Sequence, residues 1–542
     1  MPDAIAVLPG AVPPGDRPAV APPRPRRAAS RRPPAALIAA SALGALLVLL
    51  PLAFTVLQAE RVSGAEAVEL LVRPLVGELL VNTIGLVLAT TAASAIIGTG
   101  CAWLIERTRV PGRQVWAVLA AVPLAVPPFI SSYAWVSLSP DLQDFAGAWL
   151  VVTCSYYPLI YLPVAAALRG MDPTLEEVGR SLGQGQLACF FRIVLPQLRP
   201  ALLGGMLLVA LNVLVEFGAF TLLRFRTFTT ELYAEYRTGF NGPGASLLAV
   251  VLLVLCLICL LAELRVRGGA QYARIGRGTR RPITPHALGW MMLPVLAGLA
   301  ALVIVTLGVP IGMIVYWLTQ HAAAAISPAE VSASLLISAT LASLGLGLAG
   351  AAATVVLALP LGFLATRYEG RLVTLLERTA YLAQGVPGIV VALALISLTI
   401  RTLHPLYQTA TLLITAYVIV FLPLALVSVR AALVQVQPAL EAAGRSLGLG
   451  WPAVAWRIVL PLAGPGLGAA AALVFVAVVT ELTATLLLAP IGTQTLATQV
   501  WADTSTLAFA AAAPYAAVMV VLSFLSTWLL ARRFATTRFL NG

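Results

Sequence analysis

The sequence predicts an all-α polytopic membrane protein, with about twelve transmembrane helices in two parallel six-helix repeats. Three observations predict it. Of 542 residues, 60% are hydrophobic and only 10% charged, against roughly 25% charged in a soluble domain, and mean hydropathy is +0.94. Apolar runs of about 20 residues, enough to cross ~30 Å of hydrocarbon, recur twelve times: 36–57, 79–105, 114–137, 147–168, 201–223, 245–264, 288–317, 335–365, 373–400, 408–429, 466–489 and 508–531. Finally, Gly-Arg-Ser-Leu-Gly stands at 179–183 and again at 444–448, each copy followed by Arg-Ile-Val-Leu-Pro, at 192–196 and 457–461. The separation holds at 265 positions (176 to 441, 196 to 461). Solenoid repeats have periods of only ~20–50 residues, so this one marks a duplicated domain.

Residues 1–34 are rich in Pro, Ala and Arg without apolar periodicity, and read as a disordered cytoplasmic tail. The run that follows exceeds the ~7–15 apolar residues of a cleaved signal, so it reads as an uncleaved first helix. Residues 35–266 form the first six-helix half, 267–287 a polar cytoplasmic linker, and 288–542 the second half. Pro123, Pro127, Pro128, Pro310, Pro360 and Pro387 mark where the longer spans tilt, kink or break. Pro158, Pro173 and Pro200 recur as Pro423, Pro438 and Pro465 at the same separation of 265. Further upstream the register slips. There Val126-Pro127 answers Val386-Pro387, and Arg109 with Gly112 and Arg113 answers Arg367 with Gly370 and Arg371.

With the N-terminus in the cytoplasm, twelve spans place both GRSLG segments and most arginines inside. Only Arg61, Arg73, Arg224, Arg226, Arg237 and Arg401 remain outside, the positive-inside bias of an inserted protein. The net charge of +12 therefore sets orientation in a lipid bilayer, with both termini cytoplasmic, and does not mark a nucleic-acid surface. The chain contains no lysine, which removes both a P-loop and Schiff-base chemistry. An H-E-x-x-H string is absent too, so an enzyme is not expected. Cys256-x-x-Cys259 lies in an apolar run, and Cys101, Cys154, Cys189, His286, His321 and His404 have no metal-ligand spacing, so no metal site is expected.

The GRSLG segments read as pairs of short helices. Asp172 is a candidate N-cap with Pro173 at the first helical position, and Glu176 and Glu177 lie near the positive end of the helix dipole. Leu175, Val178 and Leu182 make an apolar face. Gly183 and Gly185 permit a turn, and a second helix carries Phe190, Phe191 and Ile193 before Pro196 ends it. The other copy repeats this with Leu440, Ala443, Leu447, Gly448, Trp451, Trp456 and Ile458. Such a knob is a connecting loop or a docking surface. Duplication favours docking, because a two-fold partner needs two similar knobs.

In the first copy Glu177 stands six before Gly183, and ten residues after that glycine comes Ile193-Val194-Leu195-Pro196. Gly448 and the string from Ile458 to Pro461 keep the spacing. This resembles the EAA loop of the integral-membrane permeases of binding-protein-dependent ABC importers, and the resemblance covers about residues 75–535. The copies depart at the start: Glu441 lies seven before Gly448, and Val178-Gly179 replaces Ala-Ala. The resemblance implies that Glu176, Glu177, Gly183, Ile193 and Pro196, with Glu441, Gly448, Ile458 and Pro461, dock two copies of a separate ABC ATPase. That partner would hold ATP and Mg; this chain would bind no cofactor. A periplasmic or extracellular solute-binding protein would deliver cargo across a bacterial inner membrane. The fused format is similar to ferric-iron and to thiamine permeases, and the stretches at 216–231 and 481–498 look more like the iron type. Iron(III) is the implied cargo, with thiamine or another small solute as the alternative. A secondary transporter with parallel repeats would also show two six-span halves, without needing the paired knobs.

Glu216 and Glu481 interrupt apolar runs 265 positions apart. Carboxylates at such depth usually face an interior or water-filled cavity, and hard oxygen suits a hard cation, so both are candidate pathway residues. Capping a broken helix is the competing role. Glu231, Tyr233, Glu235 and Tyr236, on an outer segment, are candidate contacts for the binding protein or part of a solvated loop.

Overall fold

The computed structural model describes residues 33–171, 174–239, 241–269, 285, 287–320 and 332–539. The tail at 1–32, most of the 267–287 linker, Asp172, Pro173, His286 and His321 lie outside the described residues. Among the described residues all regular structure is helical. The first half comprises α1 (Ala35–Ala59), α2 (Gly64–Val72), α3 (Pro74–Arg107), α4 (Arg113–Leu119), α5 (Pro128–Leu138), α6 (Phe145–Tyr156) and α7 (Pro158–Gly170). It continues with α8 (Thr174–Ser181), α9 (Gln186–Cys189), α10 (Leu195–Val215), α11 (Gly218–Leu222), α12 (Phe228–Arg237) and α13 (Gly242–Gly269). The second half comprises α14 (Met292–Val303), α15 (Val309–Thr319), α16 (Ala333–Arg367), α17 (Arg371–Leu382), α18 (Gly388–Arg401) and α19 (Ala410–Val434). It ends with α20 (Pro438–Ser446), α21 (Trp451–Val454), α22 (Leu460–Val479), α23 (Thr483–Leu488), α24 (Leu496–Ser505) and α25 (Phe509–Phe539).

Ten helical stretches among the described residues are long and apolar enough to cross a membrane, and two bent pairs bring the number to twelve. The bends come where the sequence places prolines. A 3₁₀ turn (Val122–Ala125) and extended Val126 precede Pro127, and the chain turns through 91° into α5. In the second half Ala383–Gly385, extended Val386 and Pro387 turn it through 104° into α18. A residue before proline is forced out of the helical region, which fixes each break to one residue.

Prolines at helix starts act differently. Phe190–Val194, Ala455–Val459 and Ile304–Gly308 are π turns, each directly before a residue pair ending in Pro196, Pro461 or Pro310. Proline lacks an N–H and collides with the carbonyl four residues back; widening the preceding turn by one residue accommodates both. Pro196 and Pro461 therefore do not end the helices, contrary to the sequence reading. The fifth and eleventh spans run at Phe190–Val215 and Trp451–Val479, starting well before 201 and 466.

Close packing builds each half. α3 and α10 approach α7 through Gly98 and Gly205, where an added Cβ would stand 2.9 Å from Tyr157 O and 3.0 Å from Ile160 Cα. α16, α19 and α22 form the corresponding trio. Small residues allow this approach where no hydrophobic force drives helices together in lipid. The halves also interlock. α1 packs against α16, α17 and α18 as well as against α13 of its own half, and α15 against α5 as well as α25, so each half's first span bridges to the other half.

Candidate functional site

Each duplicated segment is a helical hairpin. α8 closes at Gly183 and α20 at Gly448, with φ +81 and +86. Gly183 N–H donates to Arg180 O at 2.9 Å and Gln184 N–H to Gly179 O at 3.1 Å; Gly448 and Leu449 repeat this to Arg445 and Gly444 at 3.0 and 3.1 Å. This Schellman closure needs a left-handed residue, which glycine supplies without strain. The first glycine of each pentapeptide packs instead. A methyl on Gly179 would run into Ile193 Cδ1, and one on Gly444 into Ile458 Cδ1. Ile193 and Ile458 thus clamp the return limb onto the outgoing one.

The hairpins leave apolar side chains outward. Leu182 is 76% exposed, Leu447 83% and Trp456 74%, and Leu175, Val178, Phe191 and Leu440 are exposed as well. Glu177 also faces out. Glu176 and Glu441 turn the other way, to the ends of the long helices. Arg107, 1% exposed, ends α3 and approaches Glu176 Oε2 at 3.7 Å. Arg367 ends α16 and donates to Glu441 Oε1 at 2.8 Å, to Leu433 O at 3.1 Å and to Val436 O at 2.8 Å. Arg113 and Arg169 both engage Glu106, and Arg430 engages Glu377. The structural counterpart of Arg367 is therefore Arg107, not Arg109, which donates instead to Pro285 O at 3.0 Å. The turn after α3 is two residues longer than the one after α16, and that insertion misled the sequence register.

Glu216 and Glu481 lie just past α10 and α22, at breaks rather than inside spans. Each carboxylate caps the next short helix. Glu216 Oε1 accepts from Ala219 N–H at 2.9 Å; Glu481 accepts from Ala484 and Thr485 N–H at 2.9 and 3.0 Å. Tyr156 OH donates to Glu216 Oε2 at 2.6 Å, and Thr485 Oγ1 to Glu481 Oε2 at 3.0 Å. The Thr485 hydroxyl also bonds the Tyr417 hydroxyl at 2.7 Å. Interrupted helices at membrane depth need such partners for their freed N–H groups. The proline breaks stack on these caps: a Cβ on Gly218 would meet Phe129 Cβ at 3.1 Å, and one on Gly388 would meet Glu481 Oε1 at 3.2 Å.

On the face opposite the hairpins, α12 and α24 open with the same capping box, Thr227 with Thr230 and Thr495 with Thr498. Their first N–H groups donate to α3 and α16, Phe228 to Thr83 Oγ1 at 3.4 Å and Leu496 to Ser343 Oγ at 2.8 Å. Glu231, Tyr233, Glu235 and Tyr236 are half-buried on α12, a helix rather than a loop. Glu235 Oε1 accepts from Asn241 Nδ2 at 2.9 Å. Burial holds the Glu231 carboxyl above its usual range against the pull of Arg226, and raises the Tyr236 phenol. On α24, burial pushes Asp503 up to about 6, and Gln499 Nε2 donates to it at 3.0 Å.

Sequence reasoning missed Arg107 and Arg367 as anchors and Gly179 and Gly444 as packing positions. One signal was present: arginine ends a long apolar run in both halves at a separation of 260 (107 to 367), which Thr83 and Ser343 share.

Residues 94–265 and 358–534 each match the family described as binding-protein-dependent transport system inner membrane component. The chain is 38% identical over 501 residues to the Fe(3+)-transport system permease protein FbpB 2 of Haemophilus influenzae, covering 92% of this chain and 98% of that protein. It is 29% identical over 236 residues to the sulfate transport system permease protein CysT of Escherichia coli, 40% of this chain and 85% of that protein. The molybdenum transport system permease protein ModB of Escherichia coli is 28% identical over 183 residues, 30% of this chain and 80% of its own length.

Proposed function

The chain belongs to the binding-protein-dependent transport system inner membrane components, whose domain it carries twice, and from this we propose that it alone forms the translocation pore of an ABC importer for iron(III). One observation carries the cargo: the relative named for Fe(3+) matches both halves, whereas those named for sulfate and molybdenum match about one.

The hairpins dock two copies of a separate ABC ATPase that holds ATP and Mg. Their exposed Leu182, Leu447 and Trp456 supply apolar contact area, and Glu177 meets the partner at the rim. Glu176 and Glu441 root each hairpin in a long helix, so a push on the hairpin moves the span. Gly183, Ile193 and Pro196, with Gly448, Ile458 and Pro461, hold its shape. ATP-driven approach of the two ATPase copies rocks the halves, through their differential affinity for the two states. The arginine-rich hairpin face and both termini are cytoplasmic. Glu231, Glu235 and Tyr236 face a solute-binding protein on the other side, while Tyr233 turns toward the second half. Glu216 and Glu481 shape the pathway wall by holding the broken helices in place.

The test is reconstitution of the permease and its ATPase in proteoliposomes. Ferric-loaded binding protein is expected to stimulate ATP hydrolysis and iron uptake. Accumulation without any ATPase would end the coupling model, and stimulation by a thiamine-, sulfate- or molybdate-loaded protein alone would replace the cargo.

A further inference from the structure

We propose that Tyr233 and Trp501, seated on Phe217 and Leu482, are the gate that closes the pathway on the face opposite the hairpins. This rests on reading the chain as a two-half transporter. The two rings occupy equivalent positions, 268 apart like the threonines that open their helices (227 to 495, 233 to 501). Residues related by a two-fold axis touch each other only at that axis. The ring centroids lie 6.3 Å apart at 74°, so the axis between the halves, where a transport pathway runs, passes through this contact.

The layer beneath repeats the pattern. Phe217 and Leu482, equivalent residues directly after Glu216 and Glu481, are 1% and 4% exposed. The Phe217 and Tyr233 centroids are 5.1 Å apart, and Leu482 Cδ2 stands 2.9 Å from where Gly218 would carry a Cβ. α11 packs on α24, and α12 on α18, so the closure joins one half to the other. Van der Waals contact holds it, and an apolar constriction stops a hydrated ion by excluding its water. The closed state also carries a cost. Trp501 Nε1 is buried without an acceptor among the described residues, a desolvated donor that parting the rings would rehydrate.

The experiment uses the complete transporter in proteoliposomes, with leak of potassium ions as a readout that needs neither cargo nor ATP. Tyr233→Ala and Trp501→Ala are expected to raise the leak up to about tenfold, as expected for losing an aromatic pair, while Tyr233→Phe stays tight. Second, Tyr233→Cys with Trp501→Cys, in a background lacking the five native cysteines, is bridged with a short bis-maleimide. Bridging is expected to stop uptake while the ATPase stays bound. Tight vesicles from the double alanine variant, or undiminished uptake by the bridged protein, would overturn the gate. If the unmodified transporter fails to take up iron, the cargo reading falls, and the leak assay still judges the gate.

Discussion

Two glycines in one pentapeptide do different work. Gly183 and Gly448 hold left-handed backbone with open space where a side chain would project, so a substitution there pays only in backbone strain, about 1–2 kcal/mol per site. Gly183→Val with Gly448→Val is expected to insert normally but to lose ATP-driven uptake; proteoliposome assays of uptake and hydrolysis check both. Arg367 serves three acceptors from one guanidinium. Arg367→Ala leaves the buried Glu441 unpaired, expected to cost about 3–5 kcal/mol, and Arg367→Lys restores little because an ammonium lacks the planar fork. Melting temperature in detergent reads both. Asp503 is raised from 3.8 to about 6 by burial. The folded protein then holds a proton that the unfolded chain releases, so stability falls as pH rises between those values. Asp503→Asn is expected to flatten the melting profile across that interval; a variant that follows the wild type would place the dependence elsewhere.

At the scale of elements, one residue type produces two outcomes. Pro127 and Pro387 break their spans, whereas Pro196, Pro310 and Pro461 sit at helix starts behind π turns and leave the helix continuous. Sequence made every one of these prolines visible without distinguishing the cases, because the difference lies in whether the preceding turn can widen. Pro196→Ala with Pro461→Ala removes the reason for the π turns. The double variant is expected to melt at an equal or higher temperature. Reverting one π turn to α re-phases the hairpin by about 100° against its span, so uptake should drop. A stable variant with full uptake would show that hairpin angle is not transmitted. The carboxylate breaks teach the same lesson: Glu216 and Glu481 stood out as polar interruptions, but only the structure aims their oxygens at the next helix.

At the scale of the molecule, the halves are repeats in sequence but not separate bodies. α1 shares a core with second-half residues, Ala45 and Val48 packing with those of α16 and α19, and α15 answers by packing on α5. Cutting the chain between Gly269 and Pro285 and co-expressing the pieces is therefore expected to give a co-purifying, transporting pair. Either piece alone should be degraded, its first span lacking the part of its covering surface that the other half supplies. Co-purification by affinity tag and uptake in proteoliposomes read the outcome, and a stable lone half would contradict the bridging.

The chain's own pattern of residues determined the membrane class, the duplication, the two hairpins and the breaks at Pro127 and Pro387, because hydropathy, proline and glycine act locally and leave a local mark. Tertiary structure alone decided which arginine anchors each hairpin, that the first spans bridge the halves, and that Tyr233 meets Trp501. These depend on helix rotation and on contacts between residues hundreds of positions apart. In lipid such contacts are chosen by close packing and hydrogen bonding, which no periodicity in the sequence encodes.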